Sequence, residues 1–242
     1  MLAALKAYYL EQMARPGAGA LFLNPFYFAR KGLLDAVQEL GPQVSGRTLD
    51  VGCGNRPYER FFRSSEYVGL ELDTPENRRT KRADVYYDGK LFPFESKRFD
   101  SVVCNQVLEH AFEPEAFLAE IGRVLRPAGT LLLTVPFAWD EHEQPRDYAR
   151  YSSFGLRALL ERCGFEVLVH EKTMADIRAV GQLFNAYLFK VTSTRWPYLN
   201  ALLALLFMAP VNISASLLRW VTPRNPDMYL DNVIIAKKVE RK

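Results

Sequence analysis

Hydrophobic and polar positions change period repeatedly along this chain. Short apolar runs of strand length recur near 47–51, 67–72, 100–105, 130–135, Phe165–His170 and Leu230–Lys237. Between several of them lie stretches with apolar residues three and four apart, as in 114–126 and Ser153–Cys163. Period-two runs alternating with helical ones predict βα units and a parallel sheet joined by right-handed crossovers. The helix over 114–126 is expected to close at Pro127 and Gly129. Ahead of the first strand, Asn24-Pro25 is a cap-and-proline start for an amphipathic run that Gly41-Pro42 stops after Leu40. Residues 1–46 therefore predict helical structure, broken around Arg15–Gly19.

One segment departs from the alternation. Between the last two strands, residues 174–226 hold two apolar helical stretches, about 175–192 and 196–221, and Trp196 to Leu218 carries no charge. By length alone the second could cross a bilayer. A single crossing would strand the final β-strand on the wrong side. Pro210, Asn200 and Asn212, with Asp176, Arg178 and Gln182 in the first stretch, oppose a spanning pair. An interfacial membrane helix, a homodimer surface, an apolar wall for a lipid-like substrate and a helical pair packed on its own sheet all remain open. Lys190, Arg195, Arg219 and Arg224 flank the segment, as anionic headgroups would favour.

The chemistry is concentrated in Thr48–Asn55, a predicted strand running into the turn Gly52-Cys53-Gly54. A second acidic group, Glu71, ends the next apolar run at the spacing of about 20 residues where doubly wound folds grip a ribose. Pro57 occupies the third-glycine position and offers no N–H to a phosphate. The turn thus favours a nucleoside cofactor without pyrophosphate, which counts against a nicotinamide-dependent oxidoreductase.

With Ala83-Asp84-Val85, Phe92-Pro93-Phe94, Arg98–Val103, Val107–His110, Arg123–Leu131 and Cys163–Val167, this turn forms an ordered series over roughly 47–171. The series resembles the class I S-adenosylmethionine-dependent methyltransferases, in their type 11 branch. The resemblance implies a Rossmann-like α/β fold: a doubly wound, mostly parallel seven-stranded sheet with an antiparallel last strand, here with an apolar helical insertion before that strand. It implies S-adenosylmethionine as cofactor. Asp50, Gly52, Gly54 and Asn105 would lie at its methionine part, Glu71 at the ribose hydroxyls, and Leu72, Asp84 and Val85 around the adenine. Asp50 fixing the turn and Asp84 as a loop carboxylate stay open beside those roles.

After the fifth main strand, Trp139–Tyr151 reads Trp-Asp-Glu-His-Glu-Gln-Pro-Arg-Asp-Tyr-Ala-Arg-Tyr. It resembles a signature of methyltransferases associated with surface-polysaccharide biosynthesis. His142 is the candidate general base, because imidazole ordinarily titrates near neutrality. Tyr148, Arg150 and Tyr151 are candidate acceptor-binding residues, although Arg150 could pair with Asp147 or Asp140 and the tyrosines could staple the loop. His110 could touch the site; His170 has little claim.

Composition narrows the rest. A net charge of +3 with no long basic stripe gives no case for nucleic acid. The basic run Arg78–Arg82 reads as a solvated loop. Cys53, Cys104 and Cys163 show neither pairing nor metal-ligand spacing, so neither disulfides nor a metal site are expected and a reducing, cytoplasmic setting is. The start Met1–Lys6 shows no signal-peptide core. The expected organisation is a helical cap (1–46), a cofactor-binding core (47–173), the insertion (174–226), and a final strand and tail (227–242). The expected activity is O-methylation of a small or lipid-linked acceptor, a glycan intermediate or isoprenoid-type molecule. The site would be cytoplasmic or peripheral at the inner membrane face. The alternative is a non-catalytic, membrane-associated or dimeric module retaining the fold.

Overall fold

A computed structural model describes Gln12 and residues 16–239. The expectations placed on Met1–Lys6, on the break at Arg15 and on the last three residues lie outside or partly outside that range. The elements run α1 (Ala20–Leu23), α2 (Tyr27–Leu40), β1 (Ser45–Val51), β2 (Arg63–Leu72), α3 (Pro75–Thr80), β3 (Val85–Tyr87), β4 (Phe99–Asn105), α4 (Pro114–Val124), β5 (Leu125–Pro136), α5 (Ser153–Arg162), β6 (Phe165–Lys172), α6 (Ile177–Thr192), α7 (Pro197–Leu203), α8 (Ala209–Leu218) and β7 (Asp231–Lys238). Asn24 lies in the turn ahead of α2, which opens at Tyr27 and not at Pro25; its Oδ1 accepts from Phe26 N–H at 2.9 Å.

One seven-stranded sheet has the order β3-β2-β1-β4-β5-β7-β6. β1 pairs in parallel with β2 and β4, β2 with β3, and β4 with β5. β7 runs the other way. Thr173 N–H bonds Asp231 O at one end of the β6–β7 pair, and Val239 N–H bonds Gly164 O at the other. Strand order reverses between β1 and β4, the switch point where open α/β sheets bind ligands beyond their strand ends.

Two further boundaries differ from expectation. The helix over 114–126 ends at Val124, and Leu125 already pairs with Phe99, so Pro127 and Gly129 lie inside β5 at a register shift between Phe99 and Ser101. Ala128 absorbs the irregularity at φ 56°. The basic run Arg78–Arg82 is helical in its first part: Thr74 Oγ1 accepts from Asn77 N–H at 3.0 Å, Pro75 opens α3, and Lys81 and Arg82 follow its end as loop.

The chain divides into two compact units. The sheet unit comprises 36–137, 141–171 and 232–242. Its core is apolar: Leu49, Val51, Val102, Leu131, Leu133 and Ile234 from the sheet are fully buried with Leu118, Ile121 and Val124 of α4 and Leu156 and Leu160 of α5. These helix positions recur three and four apart, which aims one face of each helix at the sheet. The helical unit comprises 1–35, 138–140 and 172–231. It joins the first described helices to the insertion through buried polar groups. Gln182 Oε1 accepts from Phe28 and Ala29 N–H, and its Nε2 donates to Pro25 O. Asn185 Nδ2 donates to Asn212 Oδ1 and Met208 O, while Asn212 Nδ2 donates to Leu21 O and Asn24 O. α7 and α8 are continuous through a π turn at Ala204–Met208, giving an unbroken helix Pro197–Leu218.

Candidate active site

β1 delivers Asp50 and the glycine turn to the switch point. Gly52 has φ 70°, and a Cβ there would stand 2.4 Å from Val107 Cγ2, so no other residue fits without moving the loop after β4. Gly52 and Cys53 N–H both bond Leu70 O, tying the turn to β2. Gly54 also has positive φ (52°), and a Cβ there would meet nothing within 4 Å. A cavity of about 280 Å³ opens at this place, lined by Asp50, Gly52, Gly54, Tyr58, Tyr67 and Asn105 among others.

Asp50 is buried and accepts from Tyr67 Oη at 2.5 Å. Burial dominates its ionisation and, against the Tyr67 bond and the Arg56 charge, pushes its carboxyl up to about 7. The same burial, with Asp50 and Glu71 nearby, pushes the Cys53 thiol up to about 12 and leaves it inert. Glu71, at the end of β2, is buried; its Oε2 accepts from Gly54 N–H at 3.1 Å and its Oε1 from Leu72 N–H at 3.1 Å. Asn105 ends β4 and accepts from Thr134 Oγ1 on β5 at 2.5 Å.

Asp84 and Val85 stand at the start of β3, with Val85 opposite Leu70 and Leu72 opposite Tyr87. Asp84 is half exposed, and its Oδ2 is held by Arg56 Nη2 at 2.5 Å and Gly69 N–H at 2.8 Å. Desolvation opposes ionisation there, but the two bonds prevail and hold its carboxyl below the usual range. Arg56 Nε also donates to Arg82 O at 2.6 Å. Gly69 makes room for this clamp: a Cβ there would sit 2.9 Å from Arg56 Nη2 and 2.8 Å from Cys53 Sγ. Arg56 and Tyr67 were not singled out as site residues from the sequence. Arg56 directly after the glycine turn was the available signal.

The loop after β5 forms a second cluster. Asp147 is gripped by Arg150 from both guanidinium nitrogens, at 2.6 and 2.7 Å. It also accepts from His142 N–H at 2.9 Å. Arg150 chiefly, opposed by burial and helped by the His142 N–H, pulls the Asp147 carboxyl down to about 2. His142 Nδ1 lies 3.3 Å from Asp147 Oδ2 and 3.4 Å from Arg150 Nη2, so both orient the imidazole. Arg150 thus pairs with Asp147, one of its two expected carboxylate partners. Tyr148 is exposed and packs its ring on Phe112 at 5.2 Å. Tyr151 instead packs against the apolar core, where burial and Glu109 push its hydroxyl up to about 12. It serves as a staple between β5 and the following helix. His110, in the turn after β4, meets the His142 ring edge-to-face at 4.9 Å. His170 contacts Asn232 Oδ1 at 2.8 Å.

The residues at the glycine turn fit a cationic nucleoside cofactor. Two buried carboxylates suit a sulfonium or ammonium and a ribose, aromatic rings line the cavity, and the backbone at Gly54 leaves space above it. Gly52, Gly54, Asp50 and Asn105 would hold the methionine part, and Glu71, Leu72, Asp84 and Val85 the nucleoside. A family model described as a methyltransferase domain matches residues 26–170, well over half of the chain. A fatty-acid O-methyltransferase of Mycolicibacterium smegmatis is 36% identical over 100 residues, covering 36% of this chain and 36% of that relative. A probable S-adenosylmethionine-dependent methyltransferase of the same organism is 30% identical over 159 residues, covering 60% of each. The chain therefore spans about a third to three-fifths of these relatives' lengths. The solved phosphoethanolamine N-methyltransferase 2 of Haemonchus contortus, in complex with S-adenosyl-L-methionine, shares the fold with a TM-score of 0.52 at 18% identity, over 96% of this chain and 60% of that one. The chain belongs to the class I S-adenosylmethionine-dependent methyltransferases, whose cofactor is S-adenosylmethionine.

Proposed function

We propose that this enzyme methylates an oxygen atom of a small or lipid-linked acceptor, such as a glycan intermediate or an isoprenoid-type molecule. The carrying observation is the polar loop beyond β5, where Asp147 and Arg150 hold His142 in one orientation. S-adenosylmethionine supplies, when bound, a methyl group on a sulfonium that is already a good leaving group. The chain's own residues then position the acceptor, exclude water and take a proton. In the tautomer that gives its Nδ1 proton to Asp147, His142 Nε2 is the nitrogen that receives the acceptor's proton. Tyr148, exposed beside Phe112, is the acceptor contact this geometry supports best. The test is acceptor screening with labelled cofactor, followed by His142→Ala. Turnover is expected to fall about 10²- to 10⁴-fold with cofactor binding intact. Full turnover in that variant removes His142 as the base.

The lipid-linked reading is supported by the helical unit and by similarity to a fatty-acid O-methyltransferase. Only 28% of the most apolar window of Pro197–Leu218 is buried. Trp196 and Trp220 stand exposed at its two ends, each with an arginine over its ring: Arg195 at 5.2 Å and Arg219 at 4.4 Å. Amphipathic aromatics and guanidinium groups at the ends of an apolar helix suit a headgroup boundary. We place this unit on the cytoplasmic face of an anionic membrane, lying on it rather than through it. Sedimentation with phosphatidylglycerol vesicles at low salt should carry the protein down. Protein that stays in solution overturns the membrane contact and leaves the transferase reading standing. A mass that rises with concentration would assign the face to a homodimer.

A further inference from the structure

No metal-ligand spacing is visible in the sequence, yet folding gathers Glu109, His110 and His142 so that one ligand atom of each lies within 4.8 Å of the others. We propose that these three residues form a binding site for a divalent transition-metal ion with an open position for an acceptor oxygen. The orientation of the imidazoles carries the assignment. His110 Nδ1 is 2.6 Å from Arg146 O; a carbonyl only accepts, so Nδ1 holds the proton and Nε2 is the lone-pair nitrogen. That Nε2 faces Glu109 Oε1 at 3.8 Å and Glu143 Oε2 at 4.0 Å. His142 turns its Nδ1 toward Asp147 Oδ2 at 3.3 Å and Arg150 Nη2 at 3.4 Å, and an ion would select the tautomer that gives the Nδ1 proton to Asp147 and offers Nε2. A ring N–H given to a carbonyl or carboxylate, with the other nitrogen presented, is how proteins orient metal-binding histidines.

The carboxyl of Glu109 is fully buried next to this pair. Tetrahedral bonds of about 2.0–2.1 Å set ligand atoms about 3.4 Å apart, so an ion would draw together atoms that already lie within 4.8 Å of one another. Two imidazoles with a carboxylate select zinc, cobalt, iron or manganese over magnesium and calcium, which prefer all-oxygen shells. Three protein ligands and one open position form the catalytic pattern, in which the ion polarises a bound oxygen. The site rests on geometry alone. Its use in turnover rests on the oxygen-acceptor reading and gives His142 the duty of ligand in place of base.

The full chain, stripped with chelator, should bind about one equivalent of zinc by calorimetry. With cobalt it should show the visible bands of nitrogen and oxygen ligation, without a thiolate charge-transfer band. His110→Ala and His142→Ala should each weaken zinc by roughly tenfold or more. S-adenosylmethionine titration checks that each variant remains folded. Metal binding unchanged by both substitutions, a cobalt spectrum of thiolate type, or no binding in cofactor-competent protein would each overturn the site. Binding of magnesium alone would overturn the metal class. Wild-type protein that binds zinc but not S-adenosylmethionine would sink the transferase activity and leave the metal site in place.

Discussion

The helices of the two units bury opposite kinds of side chain. In the sheet unit, α4 and α5 bury leucine, isoleucine and valine and show their charges to water. In the helical unit, α6 buries Ala179, Gln182, Asn185 and Ala186, while Val180, Phe184, Tyr187 and Val191 are exposed. The exposed four recur three to four residues apart, so they form one stripe. Burying amides and exposing phenylalanine lowers the stability available from water alone, since each buried methylene contributes about 0.8 kcal/mol. The difference teaches that the sheet unit spends its apolar side chains on its own core, while α6 of the helical unit leaves an apolar stripe exposed, the feature on which the proposed membrane contact rests.

Matched substitutions break or sharpen this contrast. Leu133→Ala, in the dry core of the sheet unit, should cost about 2–5 kcal/mol by chemical denaturation. In the helical unit the corresponding loss should come from a polar residue. Asn212→Ala removes the bonds to Asn185 Nδ2, Leu21 O and Asn24 O and should cost about 1–3 kcal/mol.

A smaller effect concerns Asp50, whose carboxyl sits near 7 because of burial. The free folded protein keeps it protonated where the unfolded chain would ionise it, so stability from this group is complete below about pH 4. It is lost as pH rises through 7. A cationic sulfonium favours the ionised form, so S-adenosylmethionine affinity should rise up to about tenfold from pH 6 to pH 8. Neutral S-adenosylhomocysteine should respond less, and equal slopes in calorimetry would remove Asp50 from the sulfonium's surroundings. The smallest expected stability change belongs to Leu202→Ser on the exposed face, within about 0.5 kcal/mol. The same substitution should weaken vesicle binding; unchanged sedimentation would detach the face from the membrane.

Much of the sheet and of the cofactor turn was legible beforehand, because both are written in near neighbours. Alternation of apolar residues located the strands, and Gly52-Cys53-Gly54 with Glu71 located the turn. The end of α4 was misplaced for a local reason. Pro127 and Gly129 normally stop helices, but here a strand bulge uses both, and only the pairing of Leu125 with Phe99 shows it. The apolar insertion was recognised as unusual, yet its buried amides were visible only as defects in an apolar pattern. Their partners lie as far as 191 residues away.

The sequence by itself determined the family, through an ordered series of motifs, and the strands and glycine turn of an α/β sheet, through periodicity and short spacing. Only the tertiary structure decided which distant groups meet. It set Arg56 on Asp84, Tyr67 on Asp50, and brought Glu109 and His110 after β4 against His142 after β5. The last of these follows from β4 lying parallel beside β5, with Asn105 opposite Thr134, which places the two following loops at the same sheet end. Side-chain chemistry states what each group can do; strand pairing alone states with whom.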